Sequence, residues 1–222
     1  MTEKKAVFFD VDGTLFLQGN PVPESTVAAI HKLRENGHLA FVCSGRSRIM
    51  IPKKEILSVG FDGVIAACGM YASFGERILF DEEMTTEQLT DILPVLKDTD
   101  TMYILEGTEY IYYDERTIRY AIDDWYVRSI REMVSERFCV VPERVEDIHA
   151  NKISIQVPKS RMGEVTEQES GIIRFFFMRK ILQRLFRMVS AKPEESDAFV
   201  RCLVFHKRIR LRSETVSMMS IC

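Results

Sequence analysis

Three stretches of this chain are almost wholly apolar, and each runs into a polar or glycine-bearing turn. Ala6-Val7-Phe8-Phe9 ends at Asp10, Leu39-Ala40-Phe41-Val42-Cys43 ends at Ser44, and Gly63-Val64-Ile65-Ala66-Ala67 ends at Cys68. Unbroken apolar runs of this length predict strands buried on both faces, the pattern of a parallel sheet covered by helices. Between the first two, Val27, Ala28, Ile30 and Leu33 keep helical spacing from Pro23 to Asn36, with Pro23 suited to the first turn and Gly37 to the C-terminal end. A second helix-like stretch leads to about Val59. The order β-α-β-α-β predicts a doubly wound parallel sheet with ligands at the carboxyl ends of its strands.

After Cys68 the pattern changes to shorter, alternating segments. Met70–Phe74 and Arg77–Phe80 flank Gly75-Glu76 as a hairpin, and Thr85–Lys97 reads as an amphipathic helix. Thr101–Glu106 and Glu109–Tyr113 flank Gly107 as a further strand pair, Glu115–Glu136 is mainly helical, and Lys152–Val157 alternates as a strand. These segments divide the chain into a core portion over 1–81, an inserted α/β unit over 82–165, and a remainder over 166–222. No internal repeat or low-complexity segment is present.

Charge makes the third portion stand apart. Residues 1–170 carry 19 lysines and arginines against 29 acidic residues, and 171–222 carry 11 against 4, a split of −10 and +7 behind a net charge of −3. All seven tyrosines precede residue 127 and no glycine follows Gly171, although α/β turns ordinarily need glycine. A basic tail suits nucleic acid, but Phe175, Phe176, Phe177, Ile181, Leu182 and Leu185 crowd its start and no recognition motif accompanies them, so nucleic acid is not an expected partner. No apolar run approaches the roughly 18 residues of a membrane span, and no signal-peptide pattern opens the chain. A cytoplasmic protein without a membrane partner is expected. Five cysteines, Cys43, Cys68, Cys139, Cys202 and Cys222, are odd in number and form no CxxC pair. They read as reduced thiols, with Cys43 and Cys68 as packing residues.

The chemistry concentrates at the end of the first strand, in Phe9-Asp10-Val11-Asp12-Gly13-Thr14-Leu15. Residues two apart leave a strand on the same side, so both carboxylates can face one ligand. Gly13 lets the backbone approach closely and offer N–H groups to an anion. Two adjacent carboxylates at the end of a hydrophobic strand are costly unless a cation or a proton lies between them, and a site for Mg²⁺ and phosphate meets that need. A helix-capping aspartate in a solvated turn would explain one Asp-Gly, but not the whole string.

This string resembles the first motif of the haloacid dehalogenase superfamily. The resemblance implies that Asp10 attacks phosphorus to form an aspartyl-phosphate and that Asp12 protonates the leaving alkoxide and then activates water. It also implies Mg²⁺ held by the Asp10 carboxylate, the Asp12 backbone carbonyl and acidic residues late in the chain. Ser44-Gly45-Arg46, one strand later, is similar to the second motif, which makes Ser44 and Gly45, with Gly13, the expected phosphate contacts. Ser-Gly-Arg, Phe61-Asp62-Gly63 and Ala67-Cys68-Gly69 are similar to the Cof-like branch of sugar-phosphate and cofactor phosphatases, and there Arg46 would touch substrate. The implied protein is an α/β phosphohydrolase of small phosphorylated metabolites, with an incomplete doubly wound parallel sheet and residues 82–165 as its cap. Two other readings start from the same residues. One is a non-catalytic phosphate-binding or interaction protein that retains Asp10, Asp12 and Ser44. The other is a phospho-accepting receiver domain, which leaves the DVDGT string and the inserted unit unexplained.

The resemblance covers about residues 5–165. Family members continue with a lysine that neutralises the phosphoryl intermediate and a GDxxND-like loop that completes the metal site, and the printed tail has neither. Lys192 is framed by no strand or glycine turn, and Glu194, Glu195, Asp197 and Glu214 lie in no such loop. A shift of two bases would resolve the mismatch. Each new codon then joins the wobble base of one residue to the first two bases of the next. Ala191 to Phe199 permits KAGGIRRF, and Phe205 to Cys222 permits IPQKNTFAFGDSVNDVDM. Met218-Met219 forces aspartate at the second acid of the loop, and Glu214-Thr215 allows only aspartate or asparagine at the first. The sequence therefore predicts a tail translated out of frame and a core sheet without its later parallel strands.

Overall fold

A computed structural model describes residues 4–16, 20–98, 102–118, 125–156 and 203–204. The chain divides into two compact units. The first holds the described residues up to Arg46, those from Ile51 to Phe80, and Leu203–Val204; the second holds Ser47–Met50 and the described residues from Asp81 to Gln156. Among the described residues no helix is long and apolar enough to cross a membrane.

In the first unit the apolar runs become β1 (Ala6–Phe9), β2 (Leu39–Cys43) and β3 (Gly63–Ala66), hydrogen-bonded in parallel, with helix α1 (Glu24–Glu35) between the first two. β4 (Tyr71–Phe74) returns antiparallel to β3, and β5 (Arg77–Asp81) closes the predicted hairpin. Alternate strand residues feed two apolar layers. Ala40, Val42, Val64 and Ala66 pack with Val11, Leu15, Ile30 and Ile56, while Phe8, Phe41, Cys43 and Ile65 pack on the other side. That double burial is why these strands read as unbroken apolar runs. Ile30 of α1 is almost fully buried, a contribution of about 1.5–3 kcal/mol from apolar burial.

The second unit is a four-stranded sheet ordered β8-β7-β6-β9, built from β6 (Met102–Glu106), β7 (Ile111–Tyr113), β8 (Phe138–Val140) and β9 (Lys152–Gln156). Helix α2 (Thr86–Asp98) sends Leu89, Ile92, Leu93 and Leu96 against Tyr103 and Leu105. After the short α3 (Glu115–Ile118), α4 (Trp125–Val134) sends Val127, Ile130 and Val134 against Ile104 and Ile111. Successive residues of β6 thus serve opposite faces, as strand geometry requires. Thr85 and Gln88 cap α2 reciprocally: the Gln88 N–H donates to Thr85 Oγ1 at 3.2 Å and the Thr85 N–H to Gln88 Oε1 at 2.9 Å.

Several expectations require correction. The stretch before Val59 forms only short turns, Arg48–Met50 and Leu57–Val59, because Pro52 keeps the residue before it out of the helical region and brings no N–H of its own. β8 was not anticipated, and pairs in parallel with β7 through three residues. Cys43 is buried as expected, but Cys68 is exposed, carried on a left-handed turn with φ of 51° at Ala67 and 53° at Cys68. The edge of β1 is not bare, since β10 (Leu203–Val204) lies parallel to it over two residues, with Val7 opposite Leu203 and Phe8 opposite Val204. Lys192, Glu194, Glu195, Asp197 and Glu214 lie outside the described residues.

Two positions set measurable stability. A Cβ at Gly63 would lie 2.3 Å from the Ser73 carbonyl oxygen and 2.6 Å from the Phe41 ring. Gly63→Ala is therefore expected to cost about 1–3 kcal/mol through overpacking, read as a lower urea midpoint at unchanged slope. The second is Asp114, whose buried carboxylate accepts from the Tyr103 hydroxyl at 3.2 Å, from the Arg116 backbone N–H at 2.9 Å and from its guanidinium at 2.8 Å. Burial alone would push Asp114 up, but the Arg116 hydrogen bonds and charge, helped by Tyr103, outweigh it and hold the carboxyl below its ordinary value. Burial and then the Asp114 charge push the Tyr103 hydroxyl well up. Because the folded value of Asp114 is lowered, its stabilisation is present above the unfolded carboxyl pKa and is lost as pH falls through the folded one. Asp114→Asn should cost about 1–3 kcal/mol near neutrality, with the gap to the native chain closing in urea titrations as pH falls below the ordinary carboxyl range.

Candidate active site

The turn after β1 is built by alternating burial. Val11 and Leu15 are buried in the core, leaving Asp10 and Thr14 half-buried and Asp12 exposed. The Val11 carbonyl accepts from the N–H groups of Leu15 at 3.0 Å and Phe16 at 2.8 Å, and the Gly13 N–H donates to the Phe16 carbonyl at 3.0 Å. Gly13 takes φ of 76°, a left-handed conformation that glycine adopts without steric penalty. The Asp10 carboxylate is oriented by its neighbour, Oδ1 accepting the Val11 N–H at 2.8 Å.

β2 delivers the second group. Phe9 lies opposite Val42 in the parallel register, so Asp10 and Ser44 leave adjacent strands near the same carboxyl end. The Ser44 N–H donates to the Ile65 carbonyl at 3.0 Å, extending the ladder toward β3, and its Oγ accepts the Arg46 N–H at 3.1 Å. That acceptance leaves the Ser44 O–H as the group's donor. The Arg46 carbonyl accepts from the Ala67 N–H at 2.7 Å, and the Gly45 carbonyl from the Cys68 thiol at 3.8 Å.

The two motifs meet through Arg46 and Asp12. Arg46 Nε donates to Asp12 Oδ2 at 2.9 Å and a terminal nitrogen donates to Oδ1 at 2.7 Å, a two-pronged pair. The guanidinium carbon also lies 5.3 Å from the centroid of the Phe16 ring, within cation–π range. Neither Arg46 as the partner of Asp12 nor Phe16 as its support was anticipated. The residues are 34 positions apart for the first pair, and no periodic signal links them.

As donors, the groups at this turn fit part of a magnesium site. Asp10 offers the hard carboxylate oxygen that Mg²⁺ prefers, but the Asp12 carboxylate already carries a cation, Arg46. Among the described residues no group of three or more His, Cys, Asp or Glu side chains gathers as a metal cage.

The family model described as haloacid dehalogenase-like hydrolase matches residues 7–183, well over half of the chain. The chain belongs to this family. A relative in Bacillus subtilis (strain 168), YkrA, a candidate phosphatase by its name, is 28% identical over 91 residues, which cover 41% of this chain and 35% of that protein. Among solved structures, BT1666 of Bacteroides thetaiotaomicron, described among phosphatases of the superfamily, superimposes with a TM-score of 0.59 at 22% identity, covering 76% of this chain and 61% of that one. The subclass IIB sugar phosphatase BT4131 gives 0.57 at 21%, covering 74% and 63%. At these identities the superpositions show the shared α/β fold. The chain spans about a third of the curated relative and just over three fifths of these solved structures.

Proposed function

We propose that this chain carries the core and cap of a magnesium-dependent phosphohydrolase of small phosphomonoesters, in a form impaired by its tail. The observation that carries the reading is the placement of Asp10 and Ser44 at the same end of neighbouring parallel strands, where open α/β sheets bind ligands, in a chain of a hydrolase family. Asp10 attacks phosphorus and the bond to the leaving oxygen breaks; Asp12 gives that oxygen its proton, then takes one from the water that cleaves the aspartyl-phosphate. Each carboxylate ends as it began. The Ser44 hydroxyl, Gly45 and the backbone at Gly13 hold the phosphoryl oxygens. Magnesium, held by the Asp10 carboxylate and the Asp12 carbonyl, would neutralise charge on the transferring group. Residues 82–165 form the cap that selects the leaving group, the substrate being a small phosphorylated metabolite.

A second reading rests on the Arg46 guanidinium lying across both oxygens of the Asp12 carboxylate: a protein of this fold that binds phosphate without turning it over. Phosphate release from a panel of small phosphomonoesters, with and without magnesium, separates the two when run on this chain and on one with its tail frame restored. Turnover by the restored form supports the enzyme. Phosphate bound by both forms with turnover by neither selects the binding protein.

A further inference from the structure

Arg46 is held to Asp12 from two sides by residues of a single turn. Its Nε and one terminal nitrogen reach the two Asp12 oxygens at 2.9 and 2.7 Å, and Phe16 lies against its guanidinium. An isolated β-bridge between Asp12 and Phe16, with the Gly13 N–H on the Phe16 carbonyl, makes that turn a preformed slot for a planar cation. The other end of Arg46 is equally fixed, its N–H on Ser44 Oγ and its carbonyl accepting from Ala67. Its side chain is mostly enclosed at 19% exposure, whereas that of Asp12 is 57% exposed. The arginine is thus the anchored member of the pair and the carboxylate faces the open side.

We propose that Arg46 is a positioning residue that holds the ionised form of Asp12, the form that takes a proton from water, in one orientation and offsets its charge while phosphate is bound. This inference rests on the phosphoryl-site reading above and replaces a direct substrate contact by Arg46. The physical need is plain. A phosphoryl dianion brought beside Asp10 meets two carboxylates, and like charges at close range in a partly enclosed site repel strongly. A guanidinium locked across Asp12 removes one of them without occupying a phosphate oxygen. Lysine cannot do the same, because its ammonium is a point charge without the planar two-pronged fork. The same residue also turns the Ser44 hydroxyl toward donation, so one side chain and its own N–H prepare two members of the site.

The test is the affinity of this chain for inorganic phosphate, followed by phosphorus NMR, in the native protein, Arg46→Ala, Arg46→Lys, Asp12→Asn and the Arg46→Ala/Asp12→Asn double variant, with thermal melting to confirm that each is folded. Arg46→Ala should weaken phosphate by about tenfold, because Asp12 is left bare, and Arg46→Lys should recover only part of that loss. The double variant should return to within about twofold of the native affinity, because the offending charge has gone; coupling of this kind marks residues that act through one another. A double variant as weak as Arg46→Ala would make Arg46 a direct phosphate ligand and overturn the proposal alone. An unchanged affinity in Arg46→Ala would also overturn it. No phosphate binding by the folded native chain would overturn the phosphoryl-site reading and this inference together.

Discussion

Restoring the shifted frame near residues 163–170 should raise magnesium-dependent phosphate release from small phosphomonoesters by at least about a thousandfold over the chain as printed. The reasoning is electrostatic. Transfer of a phosphoryl group depends on preorganised cations and metal ligands more than on covalent chemistry, and removal of one such stabilising group typically costs about a hundredfold to a thousandfold. The printed tail shows neither the family's lysine nor its acidic loop, while the shifted frame permits both in order, with aspartate forced by Met218-Met219. Soluble yield should rise in parallel, because among the described residues two, Leu203 and Val204, pair with the edge of β1, and a parallel sheet covered by its native helices and strands leaves fewer apolar faces and unpaired edges exposed. Assay of both forms, with the coding DNA read across the junction, decides the matter. Equal turnover by the two forms, or DNA without a GDxxND sequence in the shifted frame, would sink the out-of-frame reading.

Asp10→Asn in the frame-restored protein should lower turnover by at least about a thousandfold, because an amide of the same shape cannot form an acyl-phosphate. The fold should be retained. Asp10 is half-buried and its Oδ1 accepts the Val11 N–H, and an asparagine oxygen can accept the same bond. A thermal midpoint close to the native value, together with the lost activity, would separate chemistry from folding. Activity within about twofold of the native enzyme would remove Asp10 from the mechanism.

The parts of the fold legible in the sequence are those whose patterns are local. β1, β2 and β3 announce themselves because both faces are buried and every position is apolar. The helix α2 is legible from its apolar spacing in spite of Pro94 within it, and its capping pair, Thr85 and Gln88, lies three residues apart. What escaped the sequence depends on distant partners. β8 is three residues long and exists by pairing with β7, while β10 exists by pairing with β1 across almost the whole chain. At the site, the Asp10–Asp12 string and Ser44 could be singled out from strand ends alone. Phe16 and the hold of Arg46 on Asp12 could not, because a turn had first to bring Phe16 beside Asp12.

The order β1-β2-β3-β4-β5 in the first sheet is also the order in which those strands occur along the chain. A ribosome therefore releases them in the sequence in which they pair, so that each new strand emerges after the neighbour it will join. An error late in the message alters residues made after the four pairings among β1 to β5 can form, and among the described tail residues Leu203 and Val204 lie on the far side of β1. Such a polypeptide would have Asp10, Ser44 and Arg46, and the strands that lead to them, made before the altered segment, whose described residues belong to the edge of the sheet.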